Sequence, residues 1–550
     1  MWSQIYDPFN NVWLSTMAAA IPVVVMLAAL AFFHIKAHIA ALMGLVAALV
    51  VAIWGFTMPA NIAVSSALYG AAYGLFPIGW IILNVIFLYQ LTDRKGQFTI
   101  LRESIAGISS DRRLQLLLIA FSFGAFFEGA GGFGTPVAVT GAMLIGLGFA
   151  PLAASGLSLI ANTAPVAYGA LGTPIIALAA VTGLDMLELS GMVGRQLPVF
   201  SLIVPFWLVW AFCGLRGMLA IAPAIFVAGM AFAVPQYLIS NFHGPWLVDV
   251  GAAVCSMVCL TVFLRFWQPK EIWTSASGKV EAGDAEGPPA VVGHSYTRKE
   301  VMDAWTPWLI LSVIVLLWGI PEWKKYLDSL SLVKIEWANL HMLVQKMPPV
   351  AATPKIEEAI FKLNWLSATG TGIFIASVIS AFLMGYRVRE MLVVYWDTLK
   401  LLRYSLLTIA AMLALGYSTR YSGVDSTLGL AFANTGVLYP FFGTLLGWLG
   451  VALTGSDTAS NVLFGGLQRT SAEQLGLSPV LMASANSSGG VMGKMIDAQS
   501  IVVASTATKW YGHEGEILRY VFFHSIALAT LVGLLVTLQA YVHPFTLLVK

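Results

Sequence analysis

Long apolar runs separated by short polar stretches dominate this chain of 550 residues. Runs near the length of a membrane-crossing helix, roughly 20 residues, recur at about 18–33, 39–56, 66–91, 113–127, 152–182, 197–213 and 219–239. They continue at about 247–266, 305–320, 364–385, 404–417, 426–453, 478–510 and 518–542. Several are too long for one crossing, and others are interrupted by glycine, proline or charge. The pattern predicts an all-α, polytopic membrane protein of roughly 12–14 transmembrane elements, re-entrant hairpins included.

Composition agrees with that reading. Charged residues make up 10 % of the chain and apolar residues 58 %, against roughly 25 % charged in soluble domains. Mean hydropathy is +0.82. The net charge of +2 gives no reason to expect a nucleic-acid partner. Cys213, Cys255 and Cys259 sit in apolar runs and supply neither a disulfide framework nor a metal set, so no metal and no cofactor are expected. No Lys or Arg precedes the first apolar run, which favours an uncleaved first span over a signal peptide.

Basic residues set the orientation. Loop 34–38 carries Lys36 and loop 57–65 carries none, whereas loop 92–113 carries Arg94, Lys95, Arg102, Arg112 and Arg113. The alternation places the N-terminus outside and loop 92–113 in the cytoplasm. Loop 386–403, with Arg387, Arg389, Lys400 and Arg403, is also basic. The extramembrane segment 321–362 has six lysines and five acids; it is long, so its vote is weak.

A Gly/Pro/Ser/Glu-rich stretch, 268–303, reads as a flexible cytoplasmic linker between membrane halves 1–267 and 304–550. The halves echo one another. In the first, a Gly-rich break at 129–134 is followed by Pro151, then Asn162 and Thr163, with Gly169 seven residues after the Asn. In the second, Gly455, Ser456 and Asp457 are followed by Pro479, then Asn486 and Ser487, with Gly493 seven after the Asn. Interrupted spans at matching places in two halves point to a transporter binding site. Hairpins are expected at about 126–150 and about 448–478.

The stretch 123–136, FGAFFEGAGGFGTP, carries the most chemistry. It sets Glu128 and the glycines Gly129, Gly131, Gly132 and Gly134 inside an apolar run. Broken backbone in hydrocarbon leaves N–H and C=O groups unpaired unless it lines a protected cavity, and a buried carboxylate adds to the cost. A substrate or ion site is expected. The glycines fit GxGxxG, but a dinucleotide site needs a preceding strand and a βαβ unit, so that reading is rejected. The shared physics remains: glycines admit an anion to backbone amides at a helix N-terminus. Close helix packing is the alternative, and suits pairs such as Gly443 and Gly447.

Asn162 and Thr163, and Asn486, Ser487 and Ser488, offer hydrogen-bonding groups at the second break of each half. Interhelical hydrogen bonding is their other use. Lys494 and Asp497, three apart, share a face if helical; they form either a structural pair or a cation that balances a substrate anion beside a tuning acid. Arg420 and Asp425 flank a break at 421–423 and are a candidate gating or charge pair. His34 and His38 read as a solvated turn rather than a metal site. His524 is expected to bond a backbone carbonyl rather than relay protons.

These pieces resemble the bacterial L-lactate permease family of lactate/glycolate:H⁺ symporters, within the wider ion-transporter superfamily. The carrying motifs are YDPFNNVWLS, GAFFEGAGGFGTPVAVT, NTAPVAYGALGTPI, GRQLP, GWLGVALTGSDTASN and ANSSGGVMGKMIDAQS, and the likeness runs nearly end to end. The resemblance implies a bacterial inner-membrane carrier for 2-hydroxy monocarboxylates such as L-lactate and glycolate, with two inverted repeats and re-entrant hairpins. The family's motifs fall on Glu128, the glycines from Gly129 to Gly134, Asn162, Thr163, Gly455, Ser456, Asp457, Asn486, Ser487, Ser488, Lys494 and Gln499. The partners expected are the small acid, H⁺ and the lipid bilayer; no motif fixes oligomeric state.

A 2-hydroxy acid is an anion at pH 7. Importing one negative charge against an inside-negative potential costs about 2.3 kcal/mol per 100 mV, and a co-moving proton removes that cost. Glu128 is the first candidate to carry the proton, then Asp457, then Asp497. Na⁺ coupling is the nearest rival, since Asn, Ser, Thr and carbonyl oxygens also ligate Na⁺. A membrane-embedded enzyme is the rival from another class, but no Ser–His or Asp–Asp set is identifiable. A channel would lack saturable counterflow.

Overall fold

The computed structural model describes residues 1–31, 33, 35–130, 135–273, 296–351, 353–510 and 513–549. Most of the expected linker 268–303, and Gly131, Gly132 and Gly134 of the first break, therefore lie outside the described residues, as does His34. Among the described residues nine helices are long and apolar enough to cross a membrane, eleven if each of two sharply bent pairs counts as one span. Three shorter apolar helices, Val12–Met26, Pro136–Gly146 and Thr369–Leu383, accompany them.

One order of elements occurs twice. In the first half the span Arg112–Ala130 leads to Thr135–Gly146, then Pro151–Ala161, a break at 162–168, Gly169–Thr182 and the long helix Met186–Ala220. In the second, Tyr439–Thr454 leads to Asp457–Leu475, Pro479–Gly493, a break at 494–497, Ala498–Ala507 and the long helix Glu514–Tyr541. Pro151 and Pro479 each start their helix, where a missing N–H has no intrahelical partner to lose. Gly455 ends its helix at φ 72°, a conformation that favours glycine.

Backbones approach closely through small residues. A Cβ on Gly447 would fall 2.1 Å from the Asn486 carbonyl oxygen, and one on Gly493 would fall 2.3 Å from that of Trp448. Helices Tyr439–Thr454 and Pro479–Gly493 can touch only because both faces lack side chains there. Gly70 and Gly74, four apart, do the same against Leu413 and Ala410 of helix Val388–Ser422.

That helix also fixes the two faces of the molecule. Its 35 residues span about 52 Å at 1.5 Å each. Near its start Arg94 bonds Asp397 at 2.8 Å, so the basic loops 92–113 and 386–403 share one face. Arg113 reaches the Glu271 carbonyl at 2.8 Å, bringing the start of the linker region to the same side. At its far end Arg420 meets Glu357 at 3.1 Å.

The segment 321–362 departs from the all-α expectation. After helix Pro321–Ser331, the stretch Leu332–Glu336 pairs antiparallel with Ile360–Asn364. Val344–Lys346 pairs with Lys355–Glu357, and the N-terminal strand Trp2–Ser3 adds to it in parallel. The N-terminus and this segment thus lie together, opposite the basic loops.

Candidate functional site

Four breaks and bends enclose a cavity of about 160 Å³ within the helical body. Its polar lining comes from both halves: Glu128 and Thr173 from the first, and Ser456, Asp457, Lys494 and Gln499 from the second. Ile409, Met412 and Leu413 of Val388–Ser422 supply an apolar wall.

Glu128 lies in the last helical turn before the first break. Its Oε2 accepts from Asn162 Nδ2 at 3.1 Å, and Asn162 caps the C-terminus of Pro151–Ala161. A Cβ on Gly169 would fall 2.5 Å from Glu128 Oε1, so only glycine leaves room for this carboxyl. The chain then turns through Ala170, Leu171 and Gly172 at φ 44°, 54° and 79°. Two non-glycine residues in the left-handed region cost roughly 1 kcal/mol or more each. That strain resets the direction of the chain and opens a fresh helix start against the cavity.

Two more helix starts meet the same space. Ser456 caps Asp457–Leu475, its Oγ accepting from Ala459 N at 3.3 Å. Asp497 caps Ala498–Ala507, its Oδ1 accepting from Ser500 N at 2.7 Å. Unpaired N–H groups and the positive dipole end at such starts favour an anion.

Lys494 is the cation among the described residues that line the cavity. Its Nζ donates to the Gly455 carbonyl at 2.6 Å and lies 3.4 Å from Asp497 Oδ2. Asp457 makes no direct ion pair among the described residues: its Oδ2 accepts from Ser487 Oγ at 2.5 Å and Asn461 Nδ2 at 3.3 Å, and its Oδ1 is buried without a hydrogen-bond partner.

Of the residues expected from the sequence, Glu128, Ser456, Asp457, Lys494 and Gln499 come together on the cavity. Asn162 and Ser487 stand behind it, each bonded to a lining carboxyl. Asp497 stands behind it too, through Lys494.

Others go elsewhere. Asn486 is not at a break but inside the unbroken, buried helix Pro479–Gly493. There it bonds Asn461 Oδ1 at 3.0 Å and Gln468 Nε2 at 3.1 Å. Ser488 donates to Gln196 Oε1 at 2.6 Å, and Thr163 to the Ile160 carbonyl at 2.8 Å. Gly129 is a packing glycine, since its Cβ would fall 2.7 Å from Asp249 Cβ.

Arg420 and Asp425 do not pair with each other. Gly423, at φ 80°, breaks the helix between them. Arg420 turns to Glu357, and Asp425 accepts from Ser426 N at 2.7 Å. Both line a second cavity of about 530 Å³ with Lys346 and Arg469. His524 accepts from Trp207 Nε1 at 2.9 Å rather than bonding a carbonyl. His38 stacks on Tyr404, ring centroids 4.7 Å apart.

Asp249 escaped the sequence reading. It is a lone acid near the start of the apolar helix Val248–Phe266 and is 1 % exposed. A single acid in a membrane-length apolar run is the signal that could have found it.

Broken spans around a buried, charged cavity define a polytopic membrane carrier. The profile of the L-lactate permease family matches residues 15–543, and the chain belongs to that family. It is 47 % identical to the glycolate permease GlcA of Escherichia coli (strain K12), over 98 % of each chain. It is 45 % identical to the L-lactate permeases of Escherichia coli (strain K12) and Bacillus subtilis (strain 168), over 98 % of this chain and 98 % and 99 % of theirs. These relatives are permeases, and this chain is a transporter rather than an enzyme. A solved structure of the Alcanivorax borkumensis YdaH transporter covers 86 % of this chain and 87 % of its own at 13 % identity and a TM-score of 0.46. That likeness is too loose to carry an argument.

Proposed function

We propose that this chain imports L-lactate, glycolate and related 2-hydroxy monocarboxylates across the bacterial inner membrane together with a proton, and that the cavity of Glu128, Ser456, Asp457 and Lys494 is the substrate site. The relatives named for lactate and glycolate support the substrate class. The observation that carries the site is the meeting of one lysine and three helix starts in a buried pocket of small-molecule size.

The charges support proton coupling. Asp497 pairs directly with Lys494, whereas the hydrogen-bond partners of Glu128 and Asp457 are neutral, so one lysine serves three carboxyls. An unpaired buried charge is expensive. Adding a second anion, the substrate, beside two ionised carboxylates is costlier again. A proton on Glu128 offsets the charge of the arriving substrate, so the loaded site crosses with no more negative charge than the empty one. The substrate carboxylate takes Lys494 and the helix-start N–H groups, and its 2-hydroxyl takes Ser456 or Gln499. The N-terminus and segment 321–362 then face the periplasm, opposite the basic loops.

The test is uptake of labelled L-lactate into proteoliposomes with an imposed pH gradient and no Na⁺. The proposal expects concentrative uptake, competed by glycolate. Uptake that needs a Na⁺ gradient and ignores the pH gradient would replace H⁺ with Na⁺. Flux without saturable counterflow would indicate a channel.

A further inference from the structure

A second buried acid lies behind Glu128. Asp249 is 1 % exposed, and both its carboxylate oxygens are buried without a hydrogen-bond partner. The contact is set by Gly129, the residue after Glu128, whose missing side chain lets Asp249 Cβ and Val250 N close in. Helix Val248–Phe266 packs on the helical end Gly124–Ala130 that carries Glu128, with Asp249 at the level of Gly129.

Among the described residues, nothing around Asp249 offers a cation. Helix Ala222–Phe242, packed along its own helix, contains no charged residue, and neither does Gly169–Thr182. Span Arg112–Ala130 brings only Glu128 near it, since Arg112 and Arg113 are at the far end. The titratable neighbours of Asp249 are Glu128 and the Tyr168 phenol, which donates to the Ser190 carbonyl at 2.7 Å, and Glu128 is itself faced by Lys494, Asp497 and Asp457. An aspartate in such a place is tolerated as a neutral acid, or as one of two acids that are never ionised together.

We propose that Asp249 is the second member of a carboxyl pair with Glu128, and that this pair, rather than Glu128 alone, takes up and releases the coupling proton. This rests on the reading of the chain as a proton-coupled carrier. A proton from water in the cavity forms an O–H bond on the pair, which goes from one bound proton to two, and the same bond breaks on the other side of the membrane. Asp249 does not touch the substrate. It is a positioning residue that sets the pH at which Glu128 changes charge.

The experiment uses the full chain in proteoliposomes, with labelled L-lactate counterflow at equal pH and uptake measured against external pH. Asp249→Asn keeps counterflow and moves the uptake midpoint to higher pH, by up to about one unit, because the second acid that shares the remaining proton and so stabilises the singly ionised pair is gone. Asp249→Glu keeps the wild-type midpoint more closely. An unchanged midpoint in Asp249→Asn overturns the proposal and leaves Asp249 a permanently neutral packing residue.

Two results separate the readings: wild-type uptake that ignores the pH gradient ends the proton-coupled reading, whereas Glu128→Gln that still accumulates lactate from a pH gradient leaves that reading standing and overturns the carboxyl pair. Should Asp249→Asn not fold, labelling of the wild type by dicyclohexylcarbodiimide decides instead. The proposal expects Glu128 and Asp249 labelling to rise and fall with one pH midpoint. Asp249 labelling that is absent, or constant across pH, overturns it.

Discussion

The ammonium of Lys494 donates to the carbonyl of Gly455 at 2.6 Å. One residue belongs to the break before Ala498–Ala507 and the other to the break before Asp457–Leu475. A single hydrogen bond therefore clasps two interrupted spans beside the cavity. Replacing the lysine removes this clasp, the partner of Asp497 and the cation for the substrate at once. Breaking a buried pair by removing one partner costs about 3–5 kcal/mol. Lys494→Gln is expected to lose at least ten-fold in lactate uptake and to melt earlier. The double variant with Asp497→Asn recovers melting temperature but not uptake, as paired measurements in detergent and proteoliposomes will check.

Gly169 and Glu128 occupy shared space. Gly169→Ala puts a methyl 2.5 Å from Oε1 of the carboxyl. Overpacking of this kind costs about 1–3 kcal/mol. Here the strain falls on the carboxyl rather than on a lipid-facing wall. We expect uptake to fall about ten-fold while the protein still elutes as a single species.

Gly447 meets Asn486 backbone to backbone and does not line the cavity. Gly447→Val is expected to lower the melting temperature and the yield of folded protein. Protein that does fold should keep the wild-type KM for lactate. A changed KM with unchanged stability would contradict the packing role.

At the opposite end of Val388–Ser422, Glu357 lies between Lys346 at 3.2 Å and Arg420 at 3.1 Å. Burial works against its charge, but Arg420 and Lys346 outweigh burial and hold the carboxyl below its ordinary value of 4.5. The folded value is below the unfolded one, so the group stabilises the fold above about pH 4.5 and that contribution is lost as pH falls through the folded value. Glu357→Gln should melt several degrees below wild type at pH 7. The difference should close as pH drops below about 4.

Much of the cavity was legible because lone polar residues at broken apolar runs have few structural uses. Glu128, Asp457 and Lys494 were found that way. The same sign misled at Asn486, Ser487 and Ser488, since a polar side chain in a buried helix must be hydrogen-bonded whether or not it serves the substrate. They bond Gln468, Asp457 and Gln196. The turn at Ala170 and Leu171 had no sequence signal, because neither residue type favours positive φ. Arg420 and Asp425 looked like neighbours by spacing, but the left-handed Gly423 redirects the chain between them. Strands at 332–364 were hidden inside a segment read for charge, although Val333, Lys334, Ile335 and Glu336 alternate apolar and charged.

The claim that this cavity holds the substrate is tested most directly by thiol protection. Ser456→Cys, in a chain with Cys213, Cys255 and Cys259 replaced by serine, puts one thiol on the cavity wall. Ser488→Cys puts the control thiol where the native side chain bonds Gln196. The account predicts that L-lactate slows labelling at position 456 by a small methanethiosulfonate reagent, with half-protection near the transport KM, and leaves position 488 unaffected. Labelling at 456 that ignores saturating L-lactate would contradict it.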